Sequence, residues 1–138
     1  MKLNLPVFFI IPLLLVLLSP QTVRPEEEIN KVFLLVRQDK LMAFSSRGNS
    51  WSEKELRKNE TVVKSIYDGN VAVVQTTERA LAFSGITSRW TEERFRIRES
   101  VLSISAEGNV GTVITDIRAL GFSAKTGNWV ESQFNIHK

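Results

Sequence analysis

An interval of 39 residues recurs through most of this chain. Its three tryptophans, Trp51, Trp90 and Trp129, follow one another at that interval. The same offset, with no insertion or deletion, relates phenylalanines and glutamates: Phe44, Phe83, Phe122, Glu53, Glu92 and Glu131. A fixed period of roughly 20 to 50 residues is typical of repeat architectures. We therefore expect three copies of one supersecondary unit.

The front of the chain has a different character. Lys2 is the only charged residue among residues 1–23, and residues 5–18 form an almost unbroken apolar run. A basic start and a 7–15-residue apolar run are typical of a secretory signal, whereas a membrane span needs about 20 apolar residues. The protein is therefore predicted to be exported to the periplasm, the outside of the cell or another extracytoplasmic compartment.

This pattern divides the chain into three parts. Residues 1–22 are predicted to be a signal peptide or, if they are not cleaved, an N-terminal anchor that meets the membrane only through residues 3–18. Residues 23–30 are predicted to be a linker, and residues 31–138 a three-repeat β domain. Its units are predicted at about 31–69, 70–108 and 109–138.

Composition excludes several classes of site. The whole chain has a formal net charge of +3, which is too mild to indicate a nucleic-acid partner. The absence of cysteine excludes disulfides, thiolate metal sites and cysteine nucleophiles. The single histidine, His137, lies at the C-terminus and has no second histidine to complete a metal site or a Ser-His-Asp arrangement. We therefore expect no metal site, no cofactor and no catalytic residues.

Each repeat is predicted to contain four short strands. An inner strand is followed by a tight turn such as Asp68-Gly69-Asn70, because glycine and asparagine tolerate the positive φ of hairpin turns. A second strand, a third strand, a loop ending at the tryptophan and a charged outer strand complete the unit. The predicted strands are 62–67 and 101–106 (inner), 32–36, 71–75 and 110–114 (second), 41–44, 80–83 and 119–122 (third), and 52–57, 91–97 and 130–136 (outer).

The distribution of polarity favours propeller-type blades. Second and third strands such as 71–74 and 80–83 are apolar on both faces, which predicts cover on both faces. The outer strands are charged, as expected of strands that close an exposed sheet edge. A small four-stranded sheet with two buried faces and one polar edge matches a propeller blade.

The segment from Phe122 to Trp129, Phe-Ser-Ala-Lys-Thr-Gly-Asn-Trp, resembles the end of a kelch-type blade. In that family an aromatic-x-x-x-Thr-x-x-Trp stretch joins the third and outer strands, and the segment from Phe83 to Trp90 is similar. The second strands lack the Gly-Gly pair that is the family's other hallmark. The resemblance implies a propeller-type blade and does not extend to membership of the kelch family.

Three blades do not close a ring, because propellers have about 4–8. The first copy is also incomplete, since its inner strand would fall on the charged, proline-containing residues 23–28. We expect roughly eleven strands, and two chains joined head to tail as a homodimer with six blades. A single-chain β-trefoil, which also uses three four-stranded units, is the main alternative, and a β array that does not close is the other.

The repeated aromatic residues are interpreted as the core of each unit, at equivalent packing positions. This set contains Phe44, Phe83, Phe122, Trp51, Trp90 and Trp129. The alternative is that the tryptophans are stacking platforms for sugar rings.

A basic residue lies four positions before each repeated phenylalanine, and an acidic residue two positions after each tryptophan. With the tryptophans they resemble the sites of bladed fucose-binding lectins, which implies possible ligand or partner contacts at repeat boundaries. The alternative is a repeated surface ion pair. The residues are Lys40, Arg79, Arg118, Glu53, Glu92 and Glu131.

Three arginines, Arg94, Arg96 and Arg98, alternate along the outer strand of the second copy and are therefore expected to share one strand face. A solvated rim is one interpretation, and docking to an acidic partner is the other.

Together these patterns favour a non-enzymatic, exported scaffold or assembly subunit. It would act through association of β-blades, with itself and with a larger extracytoplasmic complex. The alternative is a multivalent carbohydrate-binding module with glycan sites at the repeat boundaries.

Overall fold

Eleven strands and no helix make up residues 30–135, the part of the chain that this computed structural model describes. The predicted signal or anchor, the linker up to residue 29 and His137 lie outside the described residues. The prediction of an all-β protein is confirmed, and so is the expected number of strands. The strands are β1 (Val32–Val36), β2 (Lys40–Ser45), β3 (Ser50–Glu55), β4 (Val62–Asp68), β5 (Val71–Thr76), β6 (Arg79–Ser84), β7 (Arg89–Arg94), β8 (Val101–Glu107), β9 (Val110–Thr115), β10 (Arg118–Ser123) and β11 (Asn128–Gln133).

These strands form three separate antiparallel sheets, each built from neighbours in the sequence. The first sheet has the order β1-β2-β3, the second β4-β5-β6-β7 and the third β8-β9-β10-β11. Only the second and third sheets have the predicted four strands, since the first has three among the described residues. Each inner strand pairs with the second strand that follows it, so sheets 2 and 3 begin before the sequence units predicted at residues 70 and 109.

Glycine defines the turn between the inner and second strands. Gly69 and Gly108 adopt positive φ angles of 54° and 58°, a region that other L-residues adopt only with strain. The two turns also contact each other, because the backbone N–H of Asn70 donates to the carbonyl of Gly108 over 2.8 Å. The Asn70 side-chain amide donates to the Asn109 side-chain oxygen over 2.6 Å. Equivalent turns of consecutive repeats therefore stack on one another.

The sheets pack face to face, and two layers of apolar side chains hold them together. The layer between the first and second sheets contains Val32, Leu34, Leu41, Ala43, Ala72, Val74, Leu81 and Phe83. The layer between the second and third sheets contains Val71, Val73, Ala80, Ala82, Ile104, Val113, Leu120, Phe122 and Ala124. In the central strands of the second sheet, alternate residues point into different layers, as the two-residue period of a strand requires.

Burial on both faces is confined to the middle sheet. Every residue of β6 is buried, whereas β2 and β10 alternate between buried and half-buried positions. Within one chain the predicted cover on both faces is therefore found in the second sheet, whereas the first and third sheets are covered on one face. The reason is that each of these sheets has a neighbouring sheet on one side only within the described chain.

The outer strands begin and end earlier than the sequence predicts. Trp90 lies within β7, directly opposite Phe83 in the register, instead of closing the preceding loop. Because β7 ends at Arg94, Arg96 and Arg98 lie in the connection to the next sheet. The expectation that Arg94, Arg96 and Arg98 share one strand face is therefore wrong.

Candidate functional site: the sheet junctions and the two outer faces

A buried arginine marks the junction between the first and second sheets. Arg79, the first residue of β6, forms a bidentate ion pair with Glu60. The Arg79 Nε and Nη2 atoms each lie 2.9 Å from one of the two Glu60 carboxylate oxygens. The side chains of Arg79 and Glu60 are only 3% and 0% exposed. Thr76 adds a hydrogen bond by donating its hydroxyl proton to Glu60 over 2.7 Å. This pair is shielded from water, unlike an ordinary surface salt bridge.

The same arrangement recurs at the next junction. Arg118 donates from its Nε to Glu99 over 2.7 Å and from its Nη2 to the other oxygen over 3.1 Å. Thr115 donates its hydroxyl proton to Glu99 over 2.9 Å. All three residues lie 39 positions after their counterparts in the first cluster. The cluster is therefore part of the repeat and belongs to the junction between consecutive sheets.

Each arginine also contacts the preceding sheet. Arg79 donates to the backbone carbonyl of Glu55, the last residue of β3, over 3.1 Å. Arg118 donates to the carbonyl of Arg94, the last residue of β7, over 2.7 Å. The guanidinium group, with five donors in a rigid plane, suits a position that must bind carboxylates and a carbonyl together. The arginines therefore fix each sheet to the end of the one before it.

The predicted pairs of basic and acidic residues are present at all three copies. Arg79 contacts Glu92, Arg118 contacts Glu131 over 2.8 Å, and Lys40 contacts Glu53 over 3.2 Å. The structure thus brings together each basic residue and the glutamate that the repeat pairs with it. Whether a ligand or partner uses these residues stays a prediction.

The carboxylates of the clusters are held in the ionised form. Burial alone raises the pKa of Glu60, but hydrogen bonds from Arg79, from the Arg57 backbone and from Thr76 outweigh it and lower the pKa to about 2. The pKa of Glu99 is also lowered, since hydrogen bonds from Arg118 and its neighbours overcome the effect of burial. A hydrogen bond from Arg79 lowers the pKa of Glu92. The clusters are therefore charged over the physiological pH range.

The sequence prediction missed Glu60 and Glu99, although a signal for them was present. Both glutamates precede their arginines by 19 residues, and they lie 39 residues apart. Each also closes a turn, because Glu60 accepts from the Arg57 backbone N–H and Glu99 from that of Arg96. A search for all repeated charged positions, not only those near the tryptophans, would have found them.

The repeated aromatic residues pair within each sheet as the register requires. The ring centroids of Phe44 and Trp51, Phe83 and Trp90, and Phe122 and Trp129 are each 5.3 Å apart. Trp90 and Trp129 pack against the layers between sheets, and the Trp90 indole N–H donates to the Ser52 carbonyl over 3.3 Å. Trp51 instead lies on the outer face of the first sheet and is 50% exposed.

This outer face of the first sheet, here called the aromatic face, is formed by Phe33, Leu35, Met42, Phe44 and Trp51. Phe33, Phe44 and Trp51 lie opposite one another in the register of three strands. Phe33 is 48% exposed, and its ring centroid is 6.3 Å from that of Trp51 and 5.6 Å from that of Tyr67. In the second sheet the corresponding row, Ala72, Phe83 and Trp90, is covered by the first sheet. The aromatic face thus occupies the position of a buried face.

The outer face of the third sheet, here called the small-residue face, carries smaller side chains than the aromatic face. It includes Thr112, Ile114, Ala119, Gly121, Val130 and Ser132, which the register places on one side of β9, β10 and β11. A Cβ atom added to Gly121 would meet nothing closer than the Val130 carbonyl at 3.9 Å. Val130 is 73% exposed. In the second sheet the corresponding face, which includes Ala80 and Ala82, is covered by the third sheet.

The outer arginines lie on the connection between the second and third sheets. Arg94, Arg96 and Arg98 line an open cleft together with Glu78 and Glu99. Arg96 also contacts Glu131 over 3.3 Å. Docking of an acidic partner to these arginines stays a prediction.

Residues 30–135 hold no group of three or more histidine, cysteine, aspartate or glutamate residues arranged to bind a metal ion. None of these residues forms a helix of the length and hydropathy needed to cross a membrane. The chain matches no protein-family model, and no curated protein shows significant similarity to it.

Proposed function

We propose that this protein is a non-enzymatic scaffold or assembly subunit that acts by burying its two outer sheet faces against other protein surfaces. The observation that carries the proposal is the aromatic face. Phe33, Leu35 and Trp51 expose 48%, 39% and 50% of their area on one sheet surface. Covering a large apolar side chain stabilises an association by about 1.5–3 kcal/mol relative to leaving it exposed. Contiguous apolar patches on soluble proteins commonly mark interaction sites.

The small-residue face supports the same conclusion. At its outer side it is more apolar than its buried counterpart in the second sheet, because Ile114, Val130 and Ser132 replace Gln75, Thr91 and Glu93 at the 39-residue offset, although Thr112 and Ser105 replace Val73 and Ile66. A face that is designed to remain in water is expected to be more polar than a buried one. The loss of Glu93's charge and the gain of two aliphatic side chains favour contact with another protein surface.

The alternative function, glycan binding at the repeat boundaries, has weaker support. A sugar site of this kind needs guanidinium donors that face a ligand, but the Arg79 and Arg118 side chains are 3% and 2% exposed and are bound to two or more carboxylates each. Two of the three tryptophans pack between sheets. This geometry favours a structural role for the trio of arginine, tryptophan and glutamate.

The proposed function also includes export of the protein from the cytoplasm. A secretory signal in residues 1–22 would deliver the β domain to an extracytoplasmic compartment, where an assembly subunit of this kind would join a larger complex. The basis for this step is the sequence pattern of Lys2 followed by the apolar run 5–18.

The test is the native mass of the full chain in extracts of the cells that produce it, measured by native electrophoresis and sedimentation. We expect a mass well above that of one chain. Met42→Glu and Gly121→Glu, one on each outer face, should together reduce it to the mass of a monomer. Lys125→Glu, in the exposed loop between β10 and β11, is the control and should leave it unchanged. Wild-type protein that migrates as a monomer, or a large species that survives both face substitutions, would contradict the proposal.

A further inference from the structure

We infer that the surface covering the aromatic face is the small-residue face of a second copy of this chain, joined head to tail in the register of the internal junctions. This inference rests on the proposed function and names its partner. The internal junctions provide the template. The second sheet lies on the first, and the third lies on the second, and in both places a phenylalanine-bearing face meets an aliphatic face. The aliphatic faces are Val32, Leu34, Leu41 and Ala43 at the first junction and Val71, Val73, Ala80 and Ala82 at the second. The small-residue face and the aromatic face correspond to the two surfaces that meet at each internal junction, but neither has a partner sheet within the described chain.

Both outer faces depart from the repeat. Phe33 replaces Ala72 and Gly111, so the aromatic face is bulkier than either internal counterpart. At Gly111 there is no room for such bulk, since an added Cβ would lie 2.6 Å from a Val73 methyl group. On the opposite face Gly121 replaces Ala82 and leaves open space. In the internal register the position of Phe33 faces those of Val71 and Val73, which are Val110 and Thr112 in the third sheet, so a second copy has to accommodate the Phe33 ring beside these two residues and not at Gly121.

The contact between the aromatic face of one copy and the small-residue face of the other is here called the seam. The polar contacts of the internal junctions also have counterparts at the seam. Ser45 and Ser84 donate their hydroxyl protons to the carbonyls of Gly85 and Ala124 in the following sheet. The corresponding donor at the seam is Ser123, and the corresponding acceptor is the second copy's Ser46 carbonyl. Both positions follow from the 39-residue offset.

Lys40 takes the place of the junction arginine at the seam. Arg79 and Arg118 donate to the carbonyls of Glu55 and Arg94, the last residues of the preceding sheets. The equivalent residue of the third sheet, 39 positions after Arg94, is Gln133. Lys40 of one copy therefore donates to the Gln133 carbonyl of the other. A lysine has three donors and one carboxylate partner here, Glu53, instead of the clustered carboxylates around each arginine. The seam is accordingly weaker than the internal junctions and depends more on apolar contact.

The number of copies follows from the number of sheets. Head-to-tail contacts generate either closed rings or open filaments. Closed rings of packed small sheets contain about 4–8 sheets. With three sheets in each chain, two copies give six sheets and fall within this range, whereas three copies exceed it. The assembly is therefore a dimer with two equivalent seams.

The absence of cysteine from the chain permits a direct test of this register by engineered disulfides. Asn70 and Asn109 contact each other across the internal junction, with 2.6 Å between the amide nitrogen and the carbonyl oxygen. At the seam the corresponding pair is Asn109 of one copy and Lys31 of the other. Full-length Lys31→Cys and Asn109→Cys proteins, one of them carrying a mass tag, are mixed and oxidised. An Asn70→Cys/Asn109→Cys double variant, which should form a bridge within one chain, is the geometric control.

We expect a covalent heterodimer in the mixture and none when Lys31→Cys is mixed with Asp116→Cys, since Asp116 lies at the opposite end of the third sheet. Wild-type protein purified alone should have twice the mass of one chain by light scattering. Covalent dimers of Lys31→Cys alone or of Asn109→Cys alone would show that identical faces pair, and would overturn the inference. A purified chain that is monomeric and forms no cross-link would overturn it too. The proposed function would survive that result if the larger mass in cell extracts still depended on Met42 and Gly121.

Discussion

Glu60 and Arg79 form a buried ion pair between the connection that follows the first sheet and the first residue of β6, with 2.9 Å between the Glu60 carboxylate and the Arg79 Nε. A buried pair of this kind contributes little compared with an apolar substitute, but removing one partner leaves an uncompensated charge in the interior. This asymmetry makes the pair the most sensitive point of the junction.

Replacement of Arg79 by methionine should lower the free energy of unfolding by about 3–5 kcal/mol, because Glu60 then remains buried without its partner. The double variant Arg79→Met/Glu60→Met should recover part of this loss. Lys40→Met is the matched control at the same position of the first repeat, and all of these variants are made in the Gly121→Glu background so that contacts between chains do not contribute. Lys40 is 30% exposed, so its pair with Glu53 should contribute less than about 1 kcal/mol. Urea unfolding measures all three, and equal effects of Arg79→Met and Lys40→Met would contradict the role given to the junction cluster.

Acid should weaken the fold through the same carboxylates. The folded-state pKa of Glu60 is lowered from 4.5 to about 2, so an unfolded chain binds a proton at Glu60 at a higher pH than the folded chain does. The stabilisation by Glu60 is therefore fully present above pH 4.5 and is lost as the pH falls towards 2. This loss amounts to about 3 kcal/mol for Glu60 alone.

The measurement is the free energy of unfolding between pH 6 and pH 2. Glu60→Gln should be less stable than wild type at pH 6, and the two proteins should converge as the pH falls. Glu53→Gln, on the half-exposed pair of the first sheet, serves as the control and should keep the wild-type slope. An unchanged slope in Glu60→Gln would show that other groups govern the acid sensitivity.

Gly69 and Gly108 occupy the same turn position but differ in their surroundings. A Cβ atom on Gly69 would lie 2.5 Å from the Gly108 carbonyl oxygen and 2.8 Å from its Cα, whereas one on Gly108 would meet nothing within 4 Å. Alanine at either position strains a positive φ, at a cost of about 1–2 kcal/mol. Gly69→Ala should cost a further 1–3 kcal/mol or so, since the obstructing atoms belong to the backbone.

Both glycine variants should be compared in the Gly121→Glu background, where association between chains does not contribute to unfolding. Thermal and urea unfolding provide the two free energies. If Gly69→Ala were no more destabilising than Gly108→Ala, the stacking of the two turns would not be a rigid feature of the junction.

The connections after β3 and β7 form matching turns with different residues at the strained position. Asn59 and Arg98 have φ angles of 66° and 64°, a region that asparagine tolerates better than arginine. Arg98→Asn should therefore stabilise the protein by roughly 0.5–1 kcal/mol, and Asn59→Arg should destabilise it by a similar amount. The unfolding midpoint in urea measures both effects. A loss of stability in Arg98→Asn would instead indicate that the arginine side chain makes a favourable contact.

Much of the strand pattern was predictable because it depends on local features that the repeat presents three times. Glycine and asparagine after the inner strands, and short apolar runs in strands such as β5, are sufficient to place hairpins. The outer strands begin earlier than predicted because Trp90 pairs with Phe83 inside β7 and does not end the preceding loop. Its pairing with Phe83 depends on the register of two strands, which the position of a single residue does not specify.

The candidate site was less accessible to sequence reasoning. The pairing of Arg79 with Glu92 followed from the repeat, but the contact with Glu60 joins a strand to a connection 19 residues earlier and requires the two sheets to be packed. Likewise, Phe44 and Phe83 occupy equivalent positions, yet Phe83 is buried and Phe44 is half-buried. Nothing in the two residues themselves distinguishes these environments.

The amino-acid sequence by itself determined the repeat length, the all-β character and the succession of hairpins, because these depend on interactions within one unit. The tertiary structure alone decided which faces are buried, where the arginines find their carboxylates and which two faces remain uncovered. The physical reason is that each of these features depends on the neighbouring sheet. Three nearly equivalent units acquire different surroundings when one lies between two others and the remaining two lie at the ends.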